Sequence, residues 1–375
     1  MRRCVVHVGV PKSGTTYLQD LLWDSTVELR EQGFRLPLRS VHDHFFLTLA
    51  LRGRLDSLVD PPGAVEILDR FRRDLETPGT EHLIVSHELF APVEAEAIDG
   101  FLDLLSDFEV HVVVTARDLA RQIPAEWQQQ TKTRAEQTYD TFLDEVVQHT
   151  AEHFWSVQDV AAVAARWGRR LPPERVHVVT VPPPGESPDL LVTRFCSVVG
   201  LDPARLHRDQ ARSNRSLGYE QTELVRRINA ALGDRLPHPR QGYNGNVKFW
   251  FAETVLAQQQ PHQRLVLPAE HWEWCRTTSK AIVERLERAG YDVVGNLSDL
   301  VPGDTPDTAA SHGPSDTEVA AAAVEAIAWI LDDRYQRRQA GRQEAPREAA
   351  AKRGQAGAAS RFRMSAQRIA RRLRA

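Results

Sequence analysis

The chain is poor in several residue types whose abundance marks whole classes of protein. Among its 375 residues there are three cysteines and two methionines, and aromatic residues make up 7%. Cys4, Cys196 and Cys275 are scattered, odd in number and without the short spacing of metal ligands, so neither a disulfide scaffold nor a metal site is predicted. We expect three reduced, mostly buried thiols, as in a cytoplasmic protein.

Long apolar runs and an excess of one charge are also missing. No segment approaches the roughly 20 apolar residues that a membrane-spanning helix needs, and the formal net charge is -4. Two arginines precede an apolar run at the N-terminus, but that run is too short for a signal peptide and has no small-residue cleavage site. We therefore expect a soluble protein that is not secreted and has no nucleic-acid partner.

What the chain does contain is the patterning of buried strands and helices. Four β-branched runs without a polar face are typical of buried parallel strands, at 4–9, 82–86, 111–115 and 176–181. Segments of helical period separate them, at 16–29, 64–75, 91–105, 139–149 and 157–167. Buried strands separated by helices predict an α/β fold, a parallel β-sheet with helices on both faces.

The remaining chain is mostly helical and then loses its patterning. Helical spacing continues at 190–199, 219–232, 247–260 and 272–289, and a short strand can follow at 292–295. We expect one domain over 1–302, a Gly/Asp/Thr/Pro/Ser linker over 303–317, and a C-terminal part over 318–375. That part begins with an amphipathic helix and ends in a basic, low-complexity tail that is predicted to be disordered.

The most specific motif directly follows the first predicted strand. Its residues are Gly9-Val10-Pro11-Lys12-Ser13-Gly14-Thr15-Thr16. A tight loop with two glycines between a strand and a helix aims backbone N–H groups at one anion, and the helix dipole adds to the attraction. The ATP-binding form of such a loop reads G-x-x-x-x-G-K-[ST]. Here the lysine position holds Thr15, and Lys12 lies inside the loop instead.

The segment PKSGTTYLQ resembles the 5′-phosphosulfate loop of the PAPS-dependent sulfotransferase family, whose members commonly read P-K-[ST]-G-T-T. PAPS is 3′-phosphoadenosine 5′-phosphosulfate. The resemblance implies a P-loop NTPase-like catalytic domain over 1–302, PAPS as co-substrate and no metal. It also implies that the donor is bound by Pro11, Lys12, Ser13, Gly14, Thr15 and Thr16. The segments RFCSVVGLDP and GYDVVGNLSDLVP are similar to bacterial members.

The family also uses an arginine after a later strand, with a serine eight residues further on, to bind the 3′-phosphate of the donor. Arg117, in VVVTARD, matches the arginine, whereas the serine position holds Ala125. An ion pair between Arg117 and Asp118 is the alternative. Residues that can replace the serine are Arg121, Gln122, Gln128 and Lys132.

A candidate general base follows the strand at 82–86. In one branch of the family a histidine at this place takes the proton of the acceptor hydroxyl, and other branches use a glutamate. This chain has His87 and Glu88 side by side. Because neighbours on an extended strand point to opposite faces, we expect only one of them to serve. Position favours His87, and the other residue then caps a helix or satisfies a backbone group.

A further basic loop precedes the predicted helix at 219–232. In the family, a loop at this stage of the chain closes over the 3′-phosphate and the adenine. Arg212, Ser213 and Arg215 are the candidates here, although the segment does not spell the common R-K-G form. An ordinary helix cap is the alternative interpretation. Lys248 is a weaker candidate of the same kind.

The resemblance implies a sulfotransferase whose acceptor is a hydroxyl of a carbohydrate, a glycolipid or a small metabolite. An ATP- and Mg²⁺-dependent kinase and a non-catalytic nucleotide-binding scaffold are the alternatives. The arginine-rich C-terminal tail can lie peripherally on an anionic membrane as an amphipathic helix. A solvated terminus is the simpler interpretation of the same residues.

Overall fold

The computed structural model describes residues 2–77, 79, 81–187, 189–207, 216–236, 239–304 and 313–339. The chain divides into two compact units, Met1–Ser315 and Asp316–Ala375. The first unit contains the whole sheet. In the second unit, residues 316–339 form a single helix, which includes the helix expected near the start of the C-terminal part.

One all-parallel sheet forms the centre of the first unit. Its strands are β1 (Arg3–His7), β2 (Phe34–Arg35), β3 (His82–Ser86), β4 (Glu109–Ala116), β5 (Val176–Thr180) and β6 (Asp292–Val294). Their spatial order is β2-β3-β1-β4-β5-β6. The four predicted strands and the short piece near 292 are therefore confirmed. The sequence missed β2, because two residues show no periodicity.

Helices connect the strands. Between β1 and β3 lie α1 (Thr15–Asp24), α2 (Thr26–Glu31), α3 (Val41–Leu51), α4 (Pro62–Val65) and α5 (Ile67–Leu75). Between β3 and β5 lie α6 (Ala95–Leu104), α7 (Leu119–Lys132), α8 (Tyr139–Val147), α9 (Glu152–Gln158) and α10 (Val160–Gly168). After β5 come α11 (Asp189–Val199), α12 (Tyr219–Leu232), a π-helix (Pro239–Val255) and α13 (Trp272–Ala289).

Successive side chains along each strand point alternately into two apolar cores, one on each face of the sheet. Val5, Ile84 and Val113 belong to the core that contains α1 and α11. Their neighbours in sequence, such as Val6 and Val85, belong to the larger core on the other face. This alternation is what a parallel sheet covered on both faces requires. All three cysteines are buried and free, as predicted.

The sequence missed α7, because its buried side is largely polar. Gln122, Glu126, Gln128 and Lys132 are all at most 8% exposed. They occupy places where apolar residues would have produced a helical hydrophobic period. The helix also contains Pro124, which sequence reasoning treats as a breaker. α7, whose sequence does not show its helical character, therefore lies beside the 9–16 loop.

Three adjacent strands bring the sequence motifs to one edge of the sheet. β1 lies between β3 and β4, and all three run in the same direction. The 9–16 loop follows β1, His87 and Glu88 follow β3, and Arg117 follows β4. Ligands of open α/β sheets bind outside the carboxyl ends of the strands, where the strand order reverses. The order changes direction at β1.

Trp167 anchors the larger core, and its loss should be costly. It is fully buried, and its indole Nε1 donates to Phe90 O at 3.0 Å. We expect Trp167→Ala to lower the free energy of unfolding by about 3–5 kcal/mol. Trp250 is 43% exposed, so Trp250→Ala should cost about 1 kcal/mol or less. Urea unfolding at unchanged m-value measures both, and equal losses would contradict this account of the core.

Candidate functional site

The 9–16 loop turns the chain sharply between β1 and α1. Gly9, Lys12 and Gly14 have φ of 59°, 67° and 84°. Glycine adopts this left-handed region freely, whereas a residue such as Lys12 pays about 1–2 kcal/mol for it. Conformations of this kind persist when the surrounding structure holds them, and they cluster at functional sites.

Protein side chains bind three consecutive carbonyl groups of this loop. Ser13 Oγ donates to Val10 O at 2.6 Å, Gln122 Nε2 to Pro11 O at 2.8 Å, and Arg117 Nη1 to Lys12 O at 3.2 Å. The negative ends of the loop dipoles are therefore turned towards the protein and neutralised there. These three side chains form a clamp: Ser13 of the loop itself, Arg117 directly after β4, and Gln122 of α7. The clamp holds Lys12 in its left-handed conformation.

Three amide groups where the loop enters α1 have no acceptor among the described residues. Gly14 is the N-cap of α1 and supplies no side-chain cap. Within the part of the chain that the structure describes, no acceptor reaches the N–H groups of Gly14, Thr15 or Thr16. Thr16 is also exposed. Bare amides at the positive end of a helix dipole are a favourable place for an anion.

Amines crowd around this loop. The Lys12 ammonium donates to Gln129 Oε1 at 2.6 Å, and burial lowers its pKa against the opposing effect of Glu126 and Glu88. Burial and the nearby Lys12 lower the pKa of Lys132 to about 8. The charge of Lys248, on the π-helix, also lowers the pKa of both lysines. An anion placed here would relieve the repulsion between these positive charges.

Arg117 and Arg121 form a second group of donors at the end of β4. Burial and the Arg121 charge lower the pKa of the Arg117 guanidinium to about 10. Arg117 Nε and Arg121 Nη2 are buried and have no hydrogen-bond partner within the described residues. Asp118 forms its ion pair with Arg121, so the alternative ion pair between Arg117 and Asp118 is not present.

The structure narrows the choice of residue that replaces the family's serine. Ala125 is partly buried on α7 and has no hydroxyl group. Gln122 is engaged with the loop, Gln128 Nε2 donates to Leu217 O at 3.0 Å, and Lys132 lies 3.9 Å from Glu253. Of the four candidates, Arg121 is the one that keeps a buried side-chain nitrogen without a partner among the described residues. It also lies beside Arg117.

His87 and Glu88 lie together rather than on opposite faces. β3 ends at Ser86, and a 3₁₀ turn, Glu88–Phe90, begins immediately. The strand geometry expected from the sequence therefore does not extend to this pair, and His87 Nδ1 lies 3.8 Å from Glu88 Oε2. His87 is the N-cap of the turn, with Nδ1 accepting the Leu89 N–H at 3.1 Å.

Glu88 directly borders the 9–16 loop. A Cβ atom built on Gly9 would lie 3.3 Å from Glu88 Cβ, and Gln19 Nε2 of α1 donates to Glu88 Oε2 at 2.9 Å. Burial raises the pKa of the Glu88 carboxyl. His87, the Gln19 hydrogen bond and Lys12 outweigh this effect, so the net pKa lies below the ordinary value. The Glu88 side chain remains 27% exposed and can meet a substrate.

Sequence reasoning missed the glutamine and glutamate residues that hold the site. Gln158 Nε2 donates to Glu126 Oε2 at 3.2 Å, and Gln158 Oε1 accepts from Gln122 Nε2 at 2.8 Å. Gln19 and Gln129 orient Glu88 and Lys12. The only available signal was an unusual number of amides on α7. Single amide residues have no spacing rule that would have identified them.

Some predicted features lie outside the described residues. Arg212, Ser213 and Arg215 are among them, and so is the basic tail from residue 340. The described part of the chain holds no group of three or more His, Cys, Asp or Glu residues placed to bind a metal ion. None of its helices combines the length and the apolar character needed to cross a membrane.

Comparisons with protein-family models, with curated proteins and with solved structures find no match for this chain. Function must therefore be argued from the site itself.

The close packing of Gly14 gives a direct test of the loop. A Cβ atom on Gly14 would lie 2.4 Å from Leu191 Cδ2, whereas Gly33, with φ of 82°, has nothing within 4 Å. Gly33→Ala should cost about 1–2 kcal/mol from backbone strain alone. Gly14→Ala should cost more, and the excess should disappear when it is made in a chain that already carries Leu191→Ala, a change with its own cost of about 2–5 kcal/mol. Urea unfolding of Gly33→Ala, Gly14→Ala, Leu191→Ala and the double variant decides this, and equal costs at the two glycines would disprove the clash.

Proposed function

We propose that this protein is a sulfotransferase that moves the sulfuryl group of PAPS to an acceptor hydroxyl. The observation that carries the proposal is the polarity of the 9–16 loop. The carbonyl groups of Val10, Pro11 and Lys12 are bound by the protein, and the amides of Gly14, Thr15 and Thr16, which have no acceptor among the described residues, are left for an external anion. The 5′-phosphosulfate of PAPS would occupy this place, close to Lys12.

The second group of donors supports a donor with two anionic ends. Among the described residues, one buried nitrogen of Arg117 and one of Arg121 have no partner, and Arg117 contacts the loop through Lys12 O. A 3′-phosphate held there would satisfy these nitrogens and relieve the mutual repulsion of the two guanidinium groups. In this proposal Arg121 takes the role that the family gives to a serine, at a position where this chain has Ala125.

The proposal includes a P-loop NTPase-like architecture for the first unit. The strand order β2-β3-β1-β4-β5 and the loop between β1 and α1 support that assignment. Thr15, in place of the lysine of ATP-binding loops, favours PAPS over ATP, because PAPS has no γ-phosphate for such a lysine to hold.

Glu88 is the better candidate for the general base. Nδ1 of His87 accepts a backbone N–H, so in the neutral ring Nε2 carries the proton and no lone pair is free. Glu88 is ionised at neutral pH, is partly exposed and borders the loop. The preference for His87 that position suggested is therefore replaced by a preference for Glu88, with His87 as the cap of the turn.

The proposed reaction is a single in-line displacement. The acceptor oxygen forms a bond to sulfur while the bond from sulfur to the bridging oxygen breaks. The acceptor proton passes to Glu88, and the leaving phosphate keeps the electron pair of the broken bond. Lys12 and the loop amides stabilise the negative charge that develops on the bridging oxygen. The products are a sulfate ester and PAP, 3′-phosphoadenosine 5′-phosphate.

Binding of PAP tests the donor site without any knowledge of the acceptor. We expect calorimetry to show metal-independent PAP binding, weakened at least about tenfold by Lys12→Ala or Arg117→Ala, because each removes a charge-assisted contact. Arg288→Ala is a surface control and should bind as the wild type does. Mg²⁺-dependent ATP binding without PAP binding would favour a kinase. Binding of neither nucleotide would favour a non-catalytic scaffold.

The identity of the base is tested by two matched amide substitutions. Glu88→Gln should lower the rate about 10²–10⁴-fold, because an amide cannot take the proton. His87→Asn should keep most of the rate, since asparagine is a good N-cap and its oxygen can accept the Leu89 N–H. The measured reaction is release of sulfate from PAPS, with water as the acceptor. Both variants should bind PAP normally, and a greater loss in His87→Asn would assign the base to His87.

A further inference from the structure

A chain of buried polar side chains crosses the three central strands beneath the 9–16 loop. It joins Ser13 of the loop, Thr115 of β4, His7 of β1 and Ser86 of β3, each at most 1% exposed. Ser13 Oγ lies 2.6 Å from Thr115 Oγ1, Thr115 Oγ1 lies 3.2 Å from His7 Nε2, and His7 Nδ1 lies 2.7 Å from Ser86 Oγ. An apolar side chain would be the ordinary occupant of the His7 position, since burying a polar group is costly.

The direction of every hydrogen bond in this chain follows from one carbonyl group. Val10 O can only accept, so the single hydroxyl proton of Ser13 is directed to it. Ser13 must then accept from the Thr115 hydroxyl, and Thr115 must accept from His7. His7 therefore carries its proton on Nε2, and its Nδ1 accepts from Ser86.

His7 remains neutral under ordinary conditions. Burial lowers the pKa of its imidazole to about 4, with Glu88 opposing the shift and His87 adding to it. A second proton on Nδ1 would remove the acceptor that Ser86 needs. The hydrogen bonds from Ser86 through His7 and Thr115 to Ser13 therefore all run in one direction, and none of them is lost in the neutral range of pH.

His7 also contacts both motifs at the end of the sheet. Its main-chain oxygen accepts the His87 N–H at 3.2 Å, and its side chain reaches Ser86, two residues before Glu88. Through Thr115 the same ring connects to Ser13 and so to the Val10 carbonyl of the loop clamp. No other side chain in the described residues bonds to both Ser86 and Thr115.

We infer that His7 is a positioning residue that holds the 9–16 loop in its anion-binding conformation and in register with Glu88. The inference rests on the proposed function only in identifying the anion as the donor's phosphosulfate. The geometry of the loop and the state of the ring can be measured without any ligand, so a wrong donor and a wrong role for His7 give different results.

The first measurement is the tautomer of His7 by nitrogen NMR of the ligand-free protein. We expect the Nε2–H tautomer throughout pH 5–8. An Nδ1–H tautomer, or a titration near the ordinary histidine pKa of about 6.5, would overturn the inference.

The second measurement is hydrogen exchange at the base of the loop. The Val8 and Val10 amides donate to Val113 O and Thr115 O at 2.9 Å and 3.0 Å. His7→Leu and Thr115→Val should speed exchange at Val10 about tenfold relative to Val112, whereas Thr115→Ser, which keeps the hydroxyl, should not. His111→Leu is the control. His111 is a buried histidine on β4, the strand that also carries Thr115, and it is hydrogen-bonded to His177 at 2.8 Å. Equal acceleration in the control would show a non-specific loss of stability, and no acceleration in the two test variants would show that the loop does not depend on His7. Either result would overturn the inference.

The third measurement connects the loop to the donor. His7→Leu and Thr115→Val should weaken PAP binding at least about tenfold, about 1.4 kcal/mol, while Thr115→Ser and His111→Leu leave it within about threefold. Unchanged affinity in His7→Leu would overturn the inference. If the wild type binds no PAP, the proposed donor is wrong, and the NMR and exchange results still decide the role of His7.

Discussion

The parallel pairing of β1 between β3 and β4 is the constraint on which the rest of the site depends. Parallel strands end at the same edge, so the segments that follow them meet there whatever their separation in the chain. This pairing places the 9–16 loop, Glu88 and Arg117 side by side, although about 100 residues separate the first from the last. The two apolar cores fix the register, because a shift by one residue would exchange their faces.

The carbonyl groups and the amide groups of the 9–16 loop differ in their hydrogen bonding. Buried backbone groups in folded proteins are almost always paired. Here the Val10, Pro11 and Lys12 carbonyl groups follow that rule, while the amides of Gly14, Thr15 and Thr16 have no partner in the part of the chain that the structure describes. The carbonyl side depends on buried polar residues of α7 and on Arg117, which occupy space that a simpler fold would fill with apolar side chains.

Electrostatics and packing both favour an anion at the 9–16 loop. Lys12, Lys132 and Arg117 all have lowered pKa values, because burial and neighbouring positive charges disfavour their charged forms. Glu88, by contrast, has a lowered pKa because positive and hydrogen-bonding groups surround it. The site therefore combines crowded positive charge with a partly exposed carboxylate, Glu88, which is the division of roles that the proposed sulfuryl transfer needs.

The sequence by itself determined the parallel sheet, the position of the 9–16 loop, and the places of Arg117 and the His87–Glu88 pair directly after their strands. Strand periodicity and the succession of strand, glycine loop and helix are local properties, so they can be recognised in a linear chain. Only the tertiary structure shows that His87 caps the turn after β3 through the Leu89 amide, which is what favours Glu88 as the proposed base. It also reveals the hydrogen-bond partners of Gln19, Gln122, Arg121 and His7. A buried polar side chain is defined by its partners, and those partners lie on other strands and helices, far away in the sequence.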